Sequence, residues 1–354
     1  MATTEYGVNH PLAVKLWSRK IMREALKQTY ASRFMGSTTG SLIYVKKEAS
    51  KGPGDRITYG LRMQLSGDGV EGDATLEGSE EALTTYTDNI LINQLRNAVR
   101  SNGKMTEQRI PFSIREEARS GLEDWWAGRI DECFFNSIAG NTTVTDTKRT
   151  GHNATTAPTT TSGNSRHLFS DGTHTTEASL STTDVFQLSF IDRVVNAAKI
   201  ASPVLRPINY KGGQWYVMFL HPHQVYSLRT DATSGRITWY TTQKALVEGG
   251  GQGEESNGIF TGALGHYNGV VLHESTRIPS ITANVRRAVL CGAQAACMAH
   301  GRDSANGEMS WSEELFDYKN QLGVEAGMIW GLKKSVFNSI DFGTIVMSTR
   351  AVAP

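Results

Sequence analysis

Cysteine is scarce, with three in 354 residues, at Cys133, Cys291 and Cys297. They are too few and too scattered for a disulfide framework, so all three read as buried thiols of a reducing compartment. No apolar run approaches the ~18 residues that a membrane span needs. Met1 to His10 is polar and lacks an apolar h-region, so export is not expected and the N-x-T matches at Asn141 and Asn153 read as chance. Neither sign of charge dominates: 36 Lys and Arg stand against 35 Asp and Glu. That balance argues against a dedicated nucleic-acid binder, though not against a protein that merely encloses nucleic acid. The familiar catalytic and phosphate-binding signatures, G-x-S-x-G, H-E-x-x-H, the Walker sequence and C-x-x-C, are missing too.

What is present starts with a helix. From Pro111 to Gly140 the residues Ile114, Ala118, Leu122, Trp125, Ile130, Cys133 and Phe134 recur at three- and four-residue spacing, which makes one stripe of a 3.6-period helix. Ser113 and Glu116 have the form of a capping box, and Gly140 is placed to end the run. At 1.5 Å per residue the helix spans about 40 Å. Its acid pairs, Glu123 with Asp124 and Asp131 with Glu132, read as groups that solvate or bridge an exposed face.

The length exceeds one compact core, so two or more packed units are expected. An amphipathic basic helix is expected over Pro11 to Tyr30, carrying Lys15, Arg19, Lys20, Arg23 and Lys27. Two extended runs, Arg56 to Leu65 and about Thr84 to Val99, alternate with a period of two around an acidic, glycine-rich tip. They read as a long hairpin reaching away from the body, which needs a surface to lie on because an isolated ribbon is marginal in water. Gly67, Gly69 and Gly72 spell G-x-G-x-x-G, but no helical period follows, so the tip reads as a flexible loop and not a cofactor site. Asn141 to Thr183 is rich in Thr, Ser, Gly and Asn; it cannot build a core alone and reads as a surface-lying loop that contacts a neighbour.

A more regular α/β region begins at Thr183. Asp184 is a candidate cap for a helix from Val185 to Ala201. Strands are expected at Trp215 to Leu220, Gly269 to His273 and Arg287 to Leu290, and helices at Ile237 to Val247 and Ala293 to His300. His221 and His223 lack a carboxylate or cysteine at ligand spacing, so they read as residues flanking a turn. The tail returns to strands, with Val324, Ala326, Met328, Trp330 and Leu332 on one face. Residues 183–309 therefore look like a unit inserted between two parts of another.

This order of parts resembles the major capsid proteins of tailed phages. The phrases that carry the resemblance are Gly54-Asp-Arg-Ile-Thr, Leu76-Glu-Gly-Ser-Glu-Glu-Ala-Leu, Ile92-Asn-Gln-Leu-Arg-Asn-Ala-Val, Leu122-Glu-Asp-Trp-Trp, Phe316-Asp-Tyr-Lys-Asn-Gln-Leu-Gly-Val and Ile329-Trp-Gly-Leu-Lys-Lys. Their wording is most similar to the N4-like branch, over roughly residues 40–140 and 200–350. The resemblance implies an α+β chain of the HK97-type capsid fold, divided into an N-terminal arm (1–49), an extended E-loop hairpin (50–104), a peripheral domain with a long spine helix and the Thr/Ser-rich loop (105–182), an axial α/β domain (183–309) and returning peripheral strands (310–354). It implies self-assembly as hexamers and pentamers into an icosahedral shell around double-stranded DNA, without sequence-specific binding, in the host cytoplasm. Portal, scaffold or decoration proteins are the further partners it suggests; cofactor, metal, membrane and catalytic site are none. Some family members weld subunits through an E-loop lysine, and no Lys lies between Lys51 and Lys104, so no weld is expected here. A non-viral shell protein of the same fold, or an α/β enzyme with an unrecognised site, are the alternatives. Candidate inter-subunit contacts pair the acids Asp68, Glu71, Asp73 and Glu77 of the tip with Lys15, Arg19, Arg23, Arg96 and Arg100.

Overall fold

The structure, a computed structural model, describes residues 29–46, 54–62, 65, 67–73, 75–111, 113–161, 163–170, 173–210, 213–230, 263–282, 284–301 and 309–351. The expected helices at Pro11 to Tyr30 (with Lys15, Arg19 and Arg23) and at Ile237 to Val247 lie almost wholly outside the described residues. In chain order the strands are β1 (Met35–Gly36), β2 (Ile43–Lys46), β3 (Arg56–Arg62), β4 (Thr85–Leu91), β5 (Asn93–Arg100), β6 (His167–Phe169), β7 (Ile208–Tyr210), β8 (Gly213–Leu220), β9 (Ala263–Tyr267), β10 (Val270–Glu274), β11 (Ser280–Thr282), β12 (Val285–Cys291), β13 (Ala296–His300), β14 (Ser310–Phe316), β15 (Gln321–Lys334), β16 (Val336–Phe337), β17 (Ile340–Asp341) and β18 (Thr344–Arg350). Helices α1 (Lys104–Arg109), α2 (Ile114–Ala139), α3 (Leu188–Ile200) and α4 (Pro222–Thr230) complete the set, with a 3-10 turn at Tyr30–Phe34.

Helix α2 is the long helix of the sequence pattern, and it ends where expected. Gly140 is left-handed at φ 63°, and its N–H reaches back to the carbonyls of Asn136 and Ser137. Two details of the expectation are corrected. Ser113 stands at the N-cap position, yet its side chain makes no capping bond. The buried stripe runs through Trp126, which is sealed, while Trp125 is half-buried. Beyond Ile130 the apolar stripe widens until every residue from Cys133 to Ala139 is buried, because this end passes between two sheets instead of lying on one.

The first sheet has six strands, ordered β1-β2-β13-β15-β14 with β5 on β15. Val324, Ala326, Met328, Trp330 and Leu332 of β15 alternate onto α2 and share its core, as the period of two requires. The second sheet has eight strands along β6-β18-β12-β8-β10-β9, with β7 and β11 attached. Its residues alternate between two cores. Met218, Leu220, Ala288, Leu290, Ile345 and Met347 meet α3 and α4, whereas Val217, Phe219, Val289, Cys291 and Val346 meet α2. The helix therefore serves as the shared wall of both sheets. Sheet pairing cuts across the inserted segment: β13 belongs with β15, and the C-terminal β18 lies inside the eight-stranded sheet.

Three local expectations fail for identifiable reasons. Ala293 to His300 is not a helix but a turn at 293–295 followed by β13; the strand is buried throughout and paired on both edges, parallel with β2 and antiparallel with β15, so tertiary pairing overrides alanine's helical preference. Asp184 caps no helix, since α3 starts at Leu188; its carboxylate instead accepts from Ser181 N–H (2.7 Å) and Ser181 Oγ (2.8 Å). The run from Thr84 to Val99 is two strands. Ile92 leaves the ladder to donate to Asp55 O (2.8 Å), β4 pairs β3 in the hairpin, and β5 pairs β15 in the body.

The Thr/Ser-rich segment is only in part the surface loop expected. It lies on the surface over stretches such as 145–149 and 181–183, but it also laces into the body, where Asn141, Thr150, Asn153, Arg166, Phe169 and Ser170 are buried. Asn153 accepts from Leu91 N–H (2.9 Å) and donates to the carbonyls of Leu91, Gly151 and Leu332. Gly151, at φ 68°, passes so close to β15 that a Cβ would stand 2.8 Å from that of Leu332. At its buried positions polar composition means hydrogen bonding to neighbouring backbone.

Candidate functional site

The hairpin β3–β4 is the part of the chain built to reach outward. Its base is pinned by Asp88, which is buried and accepts from Tyr59 Oη (2.8 Å), Val336 N–H (3.2 Å) and the Lys333 ammonium. Ile57, Ile90 and Ile92 pack there on Ala299. Gly331 makes this approach possible, since a Cβ at that position would fall 2.0 Å from Leu91 O.

Away from the base, cover is lost. From Glu71 to Thr85 every described residue is exposed, and the turns run through left-handed Gly69, Gly72 and Gly78. No helix follows the G-x-G-x-x-G sequence, so the tip lacks the helix N-terminus that a pyrophosphate site requires. Asp68, Glu71, Asp73 and Glu77 all face solvent here. The loop's own bonds are made by other acids: Gly67 N–H donates to Glu81 (2.7 Å) and Gly78 N–H to Glu80 (2.7 Å). Leu65, Leu76 and Leu83 are each more than half exposed beside the acids. The tip is thus acidic and apolar at once, a pairing that the sequence reading, which counted only charge, passed over.

Arg96 and Arg100 stand on the open face of the ribbon β5–β15–β14. Arg96 pairs loosely with Glu325 (3.7 Å), while Arg100 lies 4.2 Å over the Phe316 ring and reaches Gln321. A groove of about 370 Å³ runs along this face, lined by Arg96, Ala98, Arg100, Glu314, Phe316 and Glu325. Among the described residues, none of the four tip acids pairs with Arg96 or Arg100 of the same chain. At the ribbon's end Asp317, Tyr318 and Lys319 are all left-handed, with φ of 50°, 49° and 70°, and Tyr318 is fully exposed. Each such non-glycine residue costs about 1–2 kcal/mol. Asn320 holds the turn by donating to Asp317 O (2.9 Å).

The remaining candidates are structural. His223 N–H donates to His221 Nδ1 (3.2 Å), and burial beside Arg286 holds the His221 imidazole down to about 4. Of the acid pairs on α2, Asp124 is exposed and Glu132 half-buried, but Glu123 and Asp131 are buried, contrary to expectation. Glu123 meets Arg119 (2.8 Å), and Asp131 accepts from the N–H groups of Tyr30 and Ala31 (2.9 Å each), so it anchors the turn where the N-terminal segment joins the body. An acid inside the helix's apolar half was the available signal. All three cysteines are buried and unbridged, with the Cys133 thiol pushed up to about 12 by burial.

Known proteins place this geometry. The family described as phage capsid protein matches residues 5–353. The major capsid protein of Pseudomonas phage KPP25 is 28% identical over 369 aligned positions, covering 93% of each chain. Among solved structures, the capsid of Ralstonia phage GP4 is similar at a TM-score of 0.78 and 29% identity, over 100% of this chain and 96% of that one. The Cyanophage Pam1 capsid asymmetric unit reaches 0.72 over 100% and 95%, and at 17% identity it speaks for the fold alone.

Proposed function

The chain belongs to the phage capsid protein family, and from that premise we propose how it builds a shell. It is a major capsid protein of the HK97-type fold, a structural component of the virion that assembles with copies of itself. In our reading the copies form hexamers and pentamers that close into an icosahedral shell around double-stranded DNA. The near-balanced charge suits enclosure without sequence reading. Assembly would take place in the host cytoplasm, with portal, scaffold or decoration proteins as further partners and no catalytic step. Residues 1–49 would serve as the arm, 50–104 as the E-loop, 105–182 and 310–354 as the peripheral domain, and 183–309 as the axial domain.

The observation that carries this reading is the uncovered hairpin. Beyond its pinned base, the two-stranded ribbon ends in an acidic and leucine-bearing tip that its own chain leaves uncovered, so the tip finds support on another. The matching surface is the ribbon face bearing Arg96 and Arg100, with Lys15, Arg19 and Arg23 of the arm as a second basic candidate. Each exposed pair contributes only about 0–1 kcal/mol, so register is set by many repeated contacts that salt weakens. Electron microscopy of the purified chain tests the reading. Closed particles with six- and five-fold capsomers are expected; a compact monomer under every assembly condition would refute it. The lysine-free hairpin further implies a single monomer band after boiling in denaturant, against the ladder that a weld would leave.

A further inference from the structure

A group of charged side chains is sealed at the C-terminal end of α2, where the helix, the Thr/Ser-rich segment and the eight-stranded sheet converge. Arg287 lies on β12 and is buried. Its Nη1 donates to Ala139 O (2.8 Å) and Gly140 O (2.7 Å), at the end of α2 where carbonyls lack partners within the helix. The guanidinium also sits at the negative end of the helix dipole. Its Nε donates to Glu177 Oε1 (2.7 Å), which comes from the Thr/Ser-rich segment. The same carboxylate oxygen accepts from Ser348 Oγ of β18 (2.7 Å), and His167 Nε2 of β6 lies 2.8 Å from that hydroxyl. Four separate stretches of chain therefore meet at one ion pair.

The neighbourhood leaves little slack. Gly140 is crossed by the segment so closely that a Cβ there would stand 2.7 Å from Thr156 O. Lys334, at the end of β15, is sealed against Asp341 (2.8 Å) and donates to Thr156 O (3.1 Å), tying the six-stranded sheet to the same segment. Apolar side chains would fill this space with similar stability, because a buried ion pair loses in desolvation much of what it gains in attraction. What an apolar filling lacks is direction. A guanidinium fork holds a carboxylate and two carbonyls at fixed angles, and an Arg cannot slide along a helix end as a leucine can.

We propose that Arg287 and Glu177 form a clasp that fixes the angle between α2 and the eight-stranded sheet, and through it the curvature at which copies of this chain close a shell. This rests on the shell reading above. A small change of angle within one copy recurs in every copy, so the assembled particle magnifies what the monomer barely registers. Arg287 and Glu177 are positioning residues, since neither lies on the exposed surfaces offered to a neighbour.

The test compares particle diameters from the unaltered chain, Arg287→Lys, Glu177→Gln and the double variant Arg287→Met with Glu177→Gln. Leu290→Ala serves as control, because it weakens the α3–α4 core of the same sheet without touching the clasp. Diameters are read by electron microscopy, and melting temperatures are recorded for every variant. The clasp variants should lose the single diameter in favour of mixed and aberrant particles. The Leu290 control should melt lower yet keep one diameter. Clasp variants that keep the original diameter would overturn the proposal, as would a control that loses it to the same degree. Glu177→Gln retains every Arg287 donor, so it reports even if the double variant fails to fold. Failure of the unaltered chain to form particles is a different result, one that removes the shell reading itself.

Discussion

The hairpin tip and the Thr/Ser-rich segment are both polar stretches, yet only the second sends buried anchors into the body of its own chain. From Glu71 to Thr85 every described residue is exposed. Between Asn141 and Thr183 the chain crosses β15 and adds the strand β6 to the edge of β18, and buried Asn153 and half-buried Glu177 meet backbone and opposite charge. The difference lies in what the polar groups can reach. On the glycine-rich tip Glu80 and Glu81 meet the loop's own N–H groups, and Asp68, Glu71, Asp73 and Glu77 face water. Asn153, Arg166 and Glu177 have unpaired backbone and opposite charge within reach, so burying them is less costly than leaving those groups bare. A stretch that looks disordered by composition can thus be the strap that orders its surroundings.

The sharpest way to break the comparison is to strip the strap of a charge. Lys334→Met leaves Asp341 sealed without its partner and should cost about 3–5 kcal/mol in urea unfolding, whereas the Lys334→Met, Asp341→Asn pair should recover much of that. A loss confined to the single variant marks the ion pair as the cause. Next in size is Asn153→Ala, which removes the side-chain partner of Leu91 N–H and of the Leu332 carbonyl and should cost about 1–3 kcal/mol. A change below the error of the urea midpoint would mean that the strap carries no load there.

Acid sharpens the comparison through histidine. Burial and the Arg287 charge hold the His167 imidazole down to about 4, and His221 is likewise held at about 4 by burial and Arg286. Between the ordinary value near 6.5 and about 4, the unfolded chain binds protons that the fold refuses. Stability should therefore fall as pH drops through that window and level below it. His167→Gln should flatten the slope measured by melting temperature against pH, and an unchanged slope would place the titration elsewhere. The smallest effect on the monomer belongs to the tip. Reversing Asp68, Glu71 and Asp73 to Lys should move monomer stability by less than about 0.5 kcal/mol, yet impair assembly and alter its salt dependence. Normal assembly with unchanged salt response would leave the tip as a solvated loop.

Much of this was legible in advance, and the reasons are specific. The long helix announced itself through Ala118, Leu122, Ile130 and Phe134, because a 3.6 period over 26 residues has few competing readings. The alternation of β15 was equally plain from Val324 to Leu332. Ala293 to His300 misled because alanine's local preference points to a helix, while pairing with two strands decides the outcome. The clasp was invisible for another reason. Arg287 and Glu177 are 110 residues apart, and nothing in either neighbourhood marks a partner. An arginine pair, Arg286 and Arg287, at the start of the apolar run Ala288 to Cys291 was the one available sign.

Hydrogen exchange, followed by mass spectrometry on the free chain and on assembled particles, tests the central claim most directly. The claim is that one polar stretch is held within the chain and the other only by a neighbour. The amides of Asn141, His152, Thr159 and Arg166 should be protected in both states, since they donate to Asn136 O, Thr147 O, the Asp341 carboxylate and Thr159 O within a single copy. Amides from 67 to 84 should exchange rapidly in the free chain and become protected only on assembly. Protection of the hairpin tip in the free chain, or its continued rapid exchange within closed particles, would contradict the account.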